Sequence, residues 1–112
     1  MHEASLAENI LKIAQDVAAE NHAEKISAIG LKLGDMAGVE IDALNFSFDV
    51  MKKNTIAENA TLKINRVPIQ ARCNNCGKIF TVEHYNFFCP ECDGILILKS
   101  GRELLVEFVD CE

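Results

Sequence analysis

The sequence has no long apolar run, no excess of cations and no internal repeat. Nothing in its 112 residues approaches the roughly 18 consecutive apolar residues of a membrane-spanning helix. Its 11 lysines and arginines face 17 aspartates and glutamates, and a net charge of -6 argues against a nucleic-acid partner, which would need a basic face. No signal peptide precedes the first amphipathic segment. These absences predict a soluble, cytoplasmic protein in a reducing compartment, with neither nucleic acid nor membrane as partner.

Recognisable catalytic machinery is also missing. No nucleophile, general base and orienting group occur together, so we predict that the protein is not an enzyme and has no catalytic or organic cofactor-binding residues. The length allows one domain, or one domain with a small appendage.

Four of the cysteines form two closely spaced pairs: Cys73 with Cys76, and Cys89 with Cys92. Each Cys-x-x-Cys turn lets two sulfurs converge on one ion at about 2.3 Å, and four thiolates complete the tetrahedron that zinc accepts. In a reducing compartment this spacing indicates metal rather than disulfides. Because protein ligands fill all four positions, we predict a structural zinc site.

Glycine follows each pair, at Gly77 and Gly94. Both glycines are expected to supply the positive φ of a tight metal-binding turn. A segment of about 20 residues cannot bury enough apolar surface to fold alone, so the metal is expected to hold it together.

Helical spacing of apolar residues predicts two helices. The first is expected to have an apolar stripe of Leu6, Ile10, Ile13 and Val17, widened by Ala7, Ala14 and Ala18. Glu3 or Ser5 is expected to cap its start. The second, over 40–53, is expected to bury Ile41, Leu44, Phe48 and Met51, with Phe46 also assigned to core packing.

Alternation predicts strands over 25–33, 60–71 and 103–109, and the middle one is expected to break near Pro68, which cannot donate to a ladder. Short strands over 79–82 and 85–88 are expected between the cysteine pairs. The predicted fold class is α+β: a small antiparallel three-stranded sheet with two helices on one face, plus an inserted four-cysteine zinc ribbon. We assign residues 1–69 and 99–112 to the α+β domain and 70–98 to the ribbon.

The chain begins Met1-His2-Glu3, which can form a second metal site. The Met1 amine, the His2 amide and the His2 imidazole can close adjacent chelate rings around one ion, and the Glu3 amide can supply a fourth nitrogen. A square of nitrogens suits Ni(II) or Cu(II) better than zinc. A histidine after Met1 also occurs by chance, so spacing alone leaves both interpretations open.

Several segments together carry a family resemblance: Met1-His2-Glu3-Ala4-Ser5-Leu6, the two cysteine pairs, Val39-Glu40, Leu44-Asn45-Phe46-Ser47-Phe48-Asp49 and Thr55-Ile56-Ala57-Glu58. In these segments the sequence resembles the HypA/HybF family of nickel metallochaperones for hydrogenase maturation, over the whole length of the chain.

The resemblance implies a transient nickel cargo at Met1, His2 and Glu3 in a nickel-binding α+β domain, and structural zinc at Cys73, Cys76, Cys89 and Cys92. It also implies a hydrogenase maturation GTPase as partner and delivery of nickel to the large subunit of a [NiFe]-hydrogenase, or in some organisms to urease. One departure is Asp93, where some relatives have a histidine. Glu40 matches an acidic position of the family and is a candidate for a hydrogen-bonding role.

Two other functions remain open on the residues alone. Cys-x-x-Cys-Gly with Cys-Pro-x-Cys also resembles the iron site of rubredoxins, which would make the protein an electron carrier. A zinc-ribbon adaptor without nickel is the third. His22, His84 and Cys111 are expected to have no part in either metal site.

Overall fold

The computed structural model describes residues 2–83 and 85–112 of the chain. In chain order the elements are α1 (Glu3–Glu20), β1 (Ile26–Gly34), α2 (Ile41–Met51), β2 (Thr61–Val67), β3 (Gln70–Cys73), β4 (Ile79–Thr81), β5 (Leu96–Ser100) and β6 (Leu104–Cys111). Neither helix in the described part has the length and apolar character needed to cross a membrane.

The chain divides into two compact units. The first, which we call the helical unit, comprises Met1–Lys32, Gly38–Asn65 and Leu105–Glu112; the second, the ribbon unit, comprises Leu33–Ala37 and Arg66–Leu104. The expected fold class is confirmed in its helices, its small sheets and its four-cysteine ribbon. The assignment of nickel to one domain and zinc to the other stays a prediction.

A three-stranded sheet in the order β2-β1-β6 carries both helices. Reciprocal backbone bonds between Lys25 and Glu112 show that β1 and β6 run antiparallel, as predicted. The Ile26 amide, at the start of β1, bonds to Ile56 just before β2, and the Asp35 amide, beyond the end of β1, bonds to Val67 in β2. These two bonds show that β2 runs in the same direction as β1, so α2 forms a crossover between them.

The buried face of α1 contains the three predicted alanines and Ile10 but not Ile13. Ala7, Ala14 and Ala18 are fully buried, together with Ile10 and Leu11. Small side chains let a helix backbone approach its neighbours closely, and α1 packs against α2. Ile13, assigned to the core from the sequence, is therefore left 46% exposed.

In α2, Leu44 and Phe48 are buried as predicted, and Met51 packs against the same core. Phe46 is 70% exposed, so its assignment to the core was wrong. Phe46 and Phe48 are two positions apart, which places them on different sides of a helix.

The ribbon unit contains a separate sheet in the order β4-β3-β5, with both pairings antiparallel. The predicted strand over 60–71 is in fact two strands, β2 and β3, which belong to different sheets and are separated at Pro68. Proline has no N–H to donate, so the ladder ends there. The predicted strand over 85–88 does not form among the described residues; only a single bridge joins Phe88 to Ile95.

Candidate metal centres

The structure brings the four paired cysteines into one cluster. All four sulfur atoms lie within 4.8 Å of one another, with Cys73 Sγ 3.4 Å from Cys92 Sγ and Cys76 Sγ 3.8 Å from Cys89 Sγ. A tetrahedron with metal–sulfur bonds of about 2.3 Å has edges of about 3.8 Å. The spacing of the donor atoms therefore fits a single thiolate-bound ion in tetrahedral geometry.

Backbone bonds shape the first cysteine turn. The amides of Asn75 and Cys76 donate to Cys73 Sγ over 3.3 and 3.4 Å, and the Gly77 amide donates to the Cys73 carbonyl over 3.1 Å. Gly77 has φ +76°, as expected, a value that suits glycine because it has no Cβ.

The second cysteine turn has the same kind of backbone bond and a positive φ, but at different residues. The Asp93 amide donates to the Cys89 carbonyl over 3.0 Å, and it is Asp93, not Gly94, that has the positive φ, at 57°. Aspartate tolerates this region better than most residues. Gly94 is needed for space, because a Cβ there would lie 2.9 Å from Cys73 Sγ and 3.3 Å from Cys92 Sγ. The expectation of a positive φ at Gly94 was wrong, although glycine is still required.

The sulfur atoms differ in environment. Cys73 and Cys89 are buried, Cys92 is half-buried and Cys76 is exposed. The Cys76 amide, with help from the Asn75 amide, lowers the pKa of Cys73 to about 6. At Cys76 the Lys78 amide acts in the same direction, but desolvation and the neighbouring thiols outweigh it and raise the pKa of Cys76 to about 11. Because clustered thiols resist ionising together, a metal ion must displace protons when it binds.

The other predicted site lies at the start of α1. His2 is exposed and occupies the N-cap position in an extended conformation, with φ -88° and ψ 97°. A backbone hydrogen bond runs from the Leu6 amide to the His2 carbonyl, and the amides of the first turn of a helix have no partner within the helix. The amides of His2 and Glu3 are thus free of helical hydrogen bonds. Met1 lies outside the described residues.

The Glu3 side chain has a role that sequence reasoning missed. Its Oε2 accepts a hydrogen bond of 3.0 Å from the Glu40 amide, at the N-cap of α2. The N-cap of α1 is His2, whose side chain forms no cap bond, so the expectation that Glu3 or Ser5 occupies the capping position was wrong. The bond from Glu40, followed by one from the amide of Glu3, lowers the pKa of the Glu3 carboxyl. The carboxylate therefore ties the start of α1 to the start of α2.

This bond gives a pH-dependent prediction. Because the pKa of Glu3 is lowered by folding, its contribution to stability is present above the unfolded pKa and is lost as pH falls through the folded pKa. Thermal unfolding curves of the wild type and Glu3→Gln should differ at neutral pH, with the wild type more stable, and should converge in acid. A difference that persists in acid would mean that it does not come from the carboxylate charge.

The remaining candidate residues lie elsewhere. His22 follows the C-cap of α1 with φ 54° and is exposed, and Cys111 is half-buried in β6 against the core of the helical unit. His84 lies outside the described residues. Among the described residues, the four paired cysteines form the only group of three or more metal-binding side chains close enough to share an ion.

The chain is similar to known proteins over its whole length. The family model described as "Hydrogenase/urease nickel incorporation, metallochaperone, hypA" matches residues 1–111. A hydrogenase maturation factor HypA from Rhodobacter capsulatus is 39% identical over 108 residues, 96% of each chain. Another from Caldanaerobacter subterraneus is 32% identical over 114 residues and is covered completely by this chain.

Solved structures show the same fold. The solution structure of the Ni metallochaperone HypA from Helicobacter pylori superposes with a TM-score of 0.68 over 99% of this chain and 97% of that one, at 19% identity. A second solution structure, of a HypA protein, gives a TM-score of 0.72, also at 19% identity. The resemblance stated from the sequence is confirmed, and the chain belongs to the HypA family of nickel-incorporation metallochaperones.

Proposed function

We propose that the protein binds Ni(II) at its N-terminus and delivers it for assembly of the active site of a [NiFe]-hydrogenase, and in some settings of urease. The observation that carries this proposal is the match of residues 1–111 to a family described by nickel incorporation into those two enzymes. The partners would be a hydrogenase maturation GTPase and the hydrogenase large subunit. The protein would act in the cytoplasm and would not be an enzyme.

The proposed nickel ligands are the Met1 amine, the amide and imidazole of His2 and the Glu3 amide. Support comes from the start of α1, where the His2 and Glu3 amides have no helical partner and the His2 side chain is exposed. An exposed set of nitrogens can be exchanged one at a time for ligands of an acceptor protein. Protons compete with nickel for these nitrogen donors, so the nickel affinity is expected to decrease as the pH is lowered.

The proposed role of the cysteine cluster is to hold a structural zinc ion through Cys73, Cys76, Cys89 and Cys92. Four thiolates leave no coordination position for a substrate, so the ion would contribute stability rather than chemistry. The same geometry suits iron in a rubredoxin-like electron carrier, the alternative function. Colour separates them, since an iron tetrathiolate is red and a zinc one is colourless.

Nickel titration with a blocked amine tests the proposal. Untagged, zinc-loaded protein is expected to bind Ni(II) with the absorption bands of a planar d8 ion. A short glycine–serine extension before Met1 removes the free amine from the chelate and is expected to weaken binding, whereas the same extension after Glu112 serves as the control. Equal nickel affinity in both extended proteins would contradict the ligand set, and no nickel binding by the untagged protein would favour a zinc-ribbon adaptor.

A further inference from the structure

The ribbon sheet has one face packed and one face open. In β3, Ala71 and Cys73 are buried in the core of the ribbon unit, whereas Arg72 between them is exposed. Side chains alternate between the two faces of a strand, so Arg72 marks the open face. In β5, Leu96 is buried in the same core and Ile97 is exposed, which places Ile97 on the open face as well.

Strand register gathers apolar side chains around Arg72. Arg72 pairs directly with Ile79 on β4 and with Ile97 on β5, so these three side chains form a row across the sheet. Ile79 is 63% exposed and Ile97 50%, and Ile95, two positions before Ile97, is 66% exposed. Single exposed isoleucines are ordinary, but three grouped around one arginine on and beside a small sheet face form a mixed apolar and cationic surface that can bind another protein.

Two cations line a cavity on this face. The cavity has a volume of about 320 Å³ and is lined by Arg72, Lys99, Ile97 and the first cysteine turn, residues 73–77. Elsewhere in the ribbon unit, Lys78 is paired with Glu91 over 2.6 Å and Arg66 with Asp35 over 3.3 Å. Among residues 2–83 and 85–112, no acidic side chain forms an ion pair with Arg72 or Lys99.

The charge distribution argues against a second copy of this chain, and against a nucleic acid, as the partner that binds the open face. The ribbon unit has as many cations as anions: Arg66, Arg72, Lys78, Lys99 and Arg102 against Asp35, Glu83, Glu91, Asp93 and Glu103. The net charge of -6 therefore lies entirely on the helical unit. A second copy placed face to face would bring Arg72 and Lys99 against their own equivalents, which costs free energy. Two unpaired cations are also too few to hold a nucleic acid.

The geometry points to a docking surface on the open face of the ribbon sheet for an apolar segment of a partner protein that carries carboxylates. The apolar side chains of the segment cover Ile79, Ile95 and Ile97. One carboxylate enters the cavity, where the Arg72 guanidinium can receive it with two parallel hydrogen bonds and Lys99 adds a second positive charge. The surface is independent of nickel binding and does not rest on the proposed function.

Synthetic peptides test this surface on the full-length, zinc-loaded protein. A peptide alternating leucine and glutamate should produce saturable NMR shifts at the amides of Arg72, Ile79, Ile97 and Lys99. Peptides alternating leucine with lysine, or serine with glutamate, should bind at least about tenfold more weakly, because the first lacks the carboxylates and the second lacks the apolar side chains. Absence of saturable shifts, or equal binding of the leucine–lysine peptide, would overturn the proposal.

Charge reversal supplies the matched comparison. Arg72→Glu with Lys99→Glu should abolish binding of the leucine–glutamate peptide, whereas Arg102→Glu, a change of an exposed ribbon cation outside the cavity lining, should leave it unchanged. If the double variant instead loses zinc readily, the two cations serve to balance the thiolate charge, and the proposal fails. It also fails if sedimentation shows that the wild type dimerises through this face and excludes the peptide.

Discussion

His2→Ala is expected to remove tight nickel binding while zinc content and thermal stability stay close to the wild type. The imidazole is one of the nitrogens of the proposed chelate, and its loss also opens one chelate ring. Changes around a metal site that leave its ligands in place already cost about 10–100-fold in affinity, so loss of a ligand should cost more than about 100-fold. Isothermal titration with Ni(II) on untagged, zinc-loaded protein measures the effect.

His22→Ala is the matched control, because His22 is also exposed and lies at the other end of α1. It should bind nickel as the wild type does. Unchanged nickel affinity in His2→Ala, or an equal loss in His22→Ala, would contradict the assignment of nickel to the N-terminus. His2 is the N-cap of α1 without a side-chain cap bond, so the substitution should leave the helix start intact.

Removal of zinc is expected to unfold the ribbon unit and leave the helical unit folded. The buried core of the ribbon unit is small and consists of Ile69, Ala71, Cys73, Val82, Cys89 and Leu96. Two of these residues, Cys73 and Cys89, are proposed zinc ligands. Structural zinc contributes about 10–16 kcal/mol of apparent binding free energy in small zinc-finger peptides, more than such a core can replace. Chelation, or Cys89→Ser, should therefore collapse the NMR dispersion of residues 70–98.

Cys111→Ser is the control for the cysteine change, since Cys111 packs against the other core. It should retain zinc and the dispersion of the ribbon amides. Ribbon amides that stay dispersed after complete chelation would show that the fold does not depend on the ion. Loss of the helical unit at the same midpoint would show instead that the chain unfolds as one cooperative unit.

The features that could be predicted from the sequence are those set by local chemistry. The spacing of Cys73, Cys76, Cys89 and Cys92 defines the cluster because each pair needs only one turn of backbone to converge. Pro68 ends a strand wherever it occurs in a ladder. Both signals lie within a few residues of their effect, and the structure bears out the close approach of the four cysteines and the break at Pro68.

The features that could not be predicted depend on distant neighbours. The bond from the Glu40 amide to the Glu3 carboxylate joins residues 37 positions apart, and no local sequence pattern predicts it. Ala7, Ala14 and Ala18 of α1 are buried as predicted, but which larger side chain lies beside them depends on the packing of α1 against α2: Leu11 is buried and Ile13 is exposed. The positive φ at Asp93 was missed because the neighbouring Gly94 was assigned that conformation from its residue type. Glycine is needed at position 94 for another reason, the short distance to Cys73 Sγ.

The backbone pairing of Lys25 with Glu112 has a consequence for biosynthesis. The strand β6, which completes the sheet β2-β1-β6, leaves the ribosome only after the whole ribbon has been made. If the ribbon needs the proposed zinc ion to fold, β6 is joined to the rest of the sheet by a long unfolded segment until the ion binds. Closing such a loop costs more entropy than closing a folded insert. The availability of zinc during translation would therefore determine how soon the nascent chain can complete the fold of the helical unit.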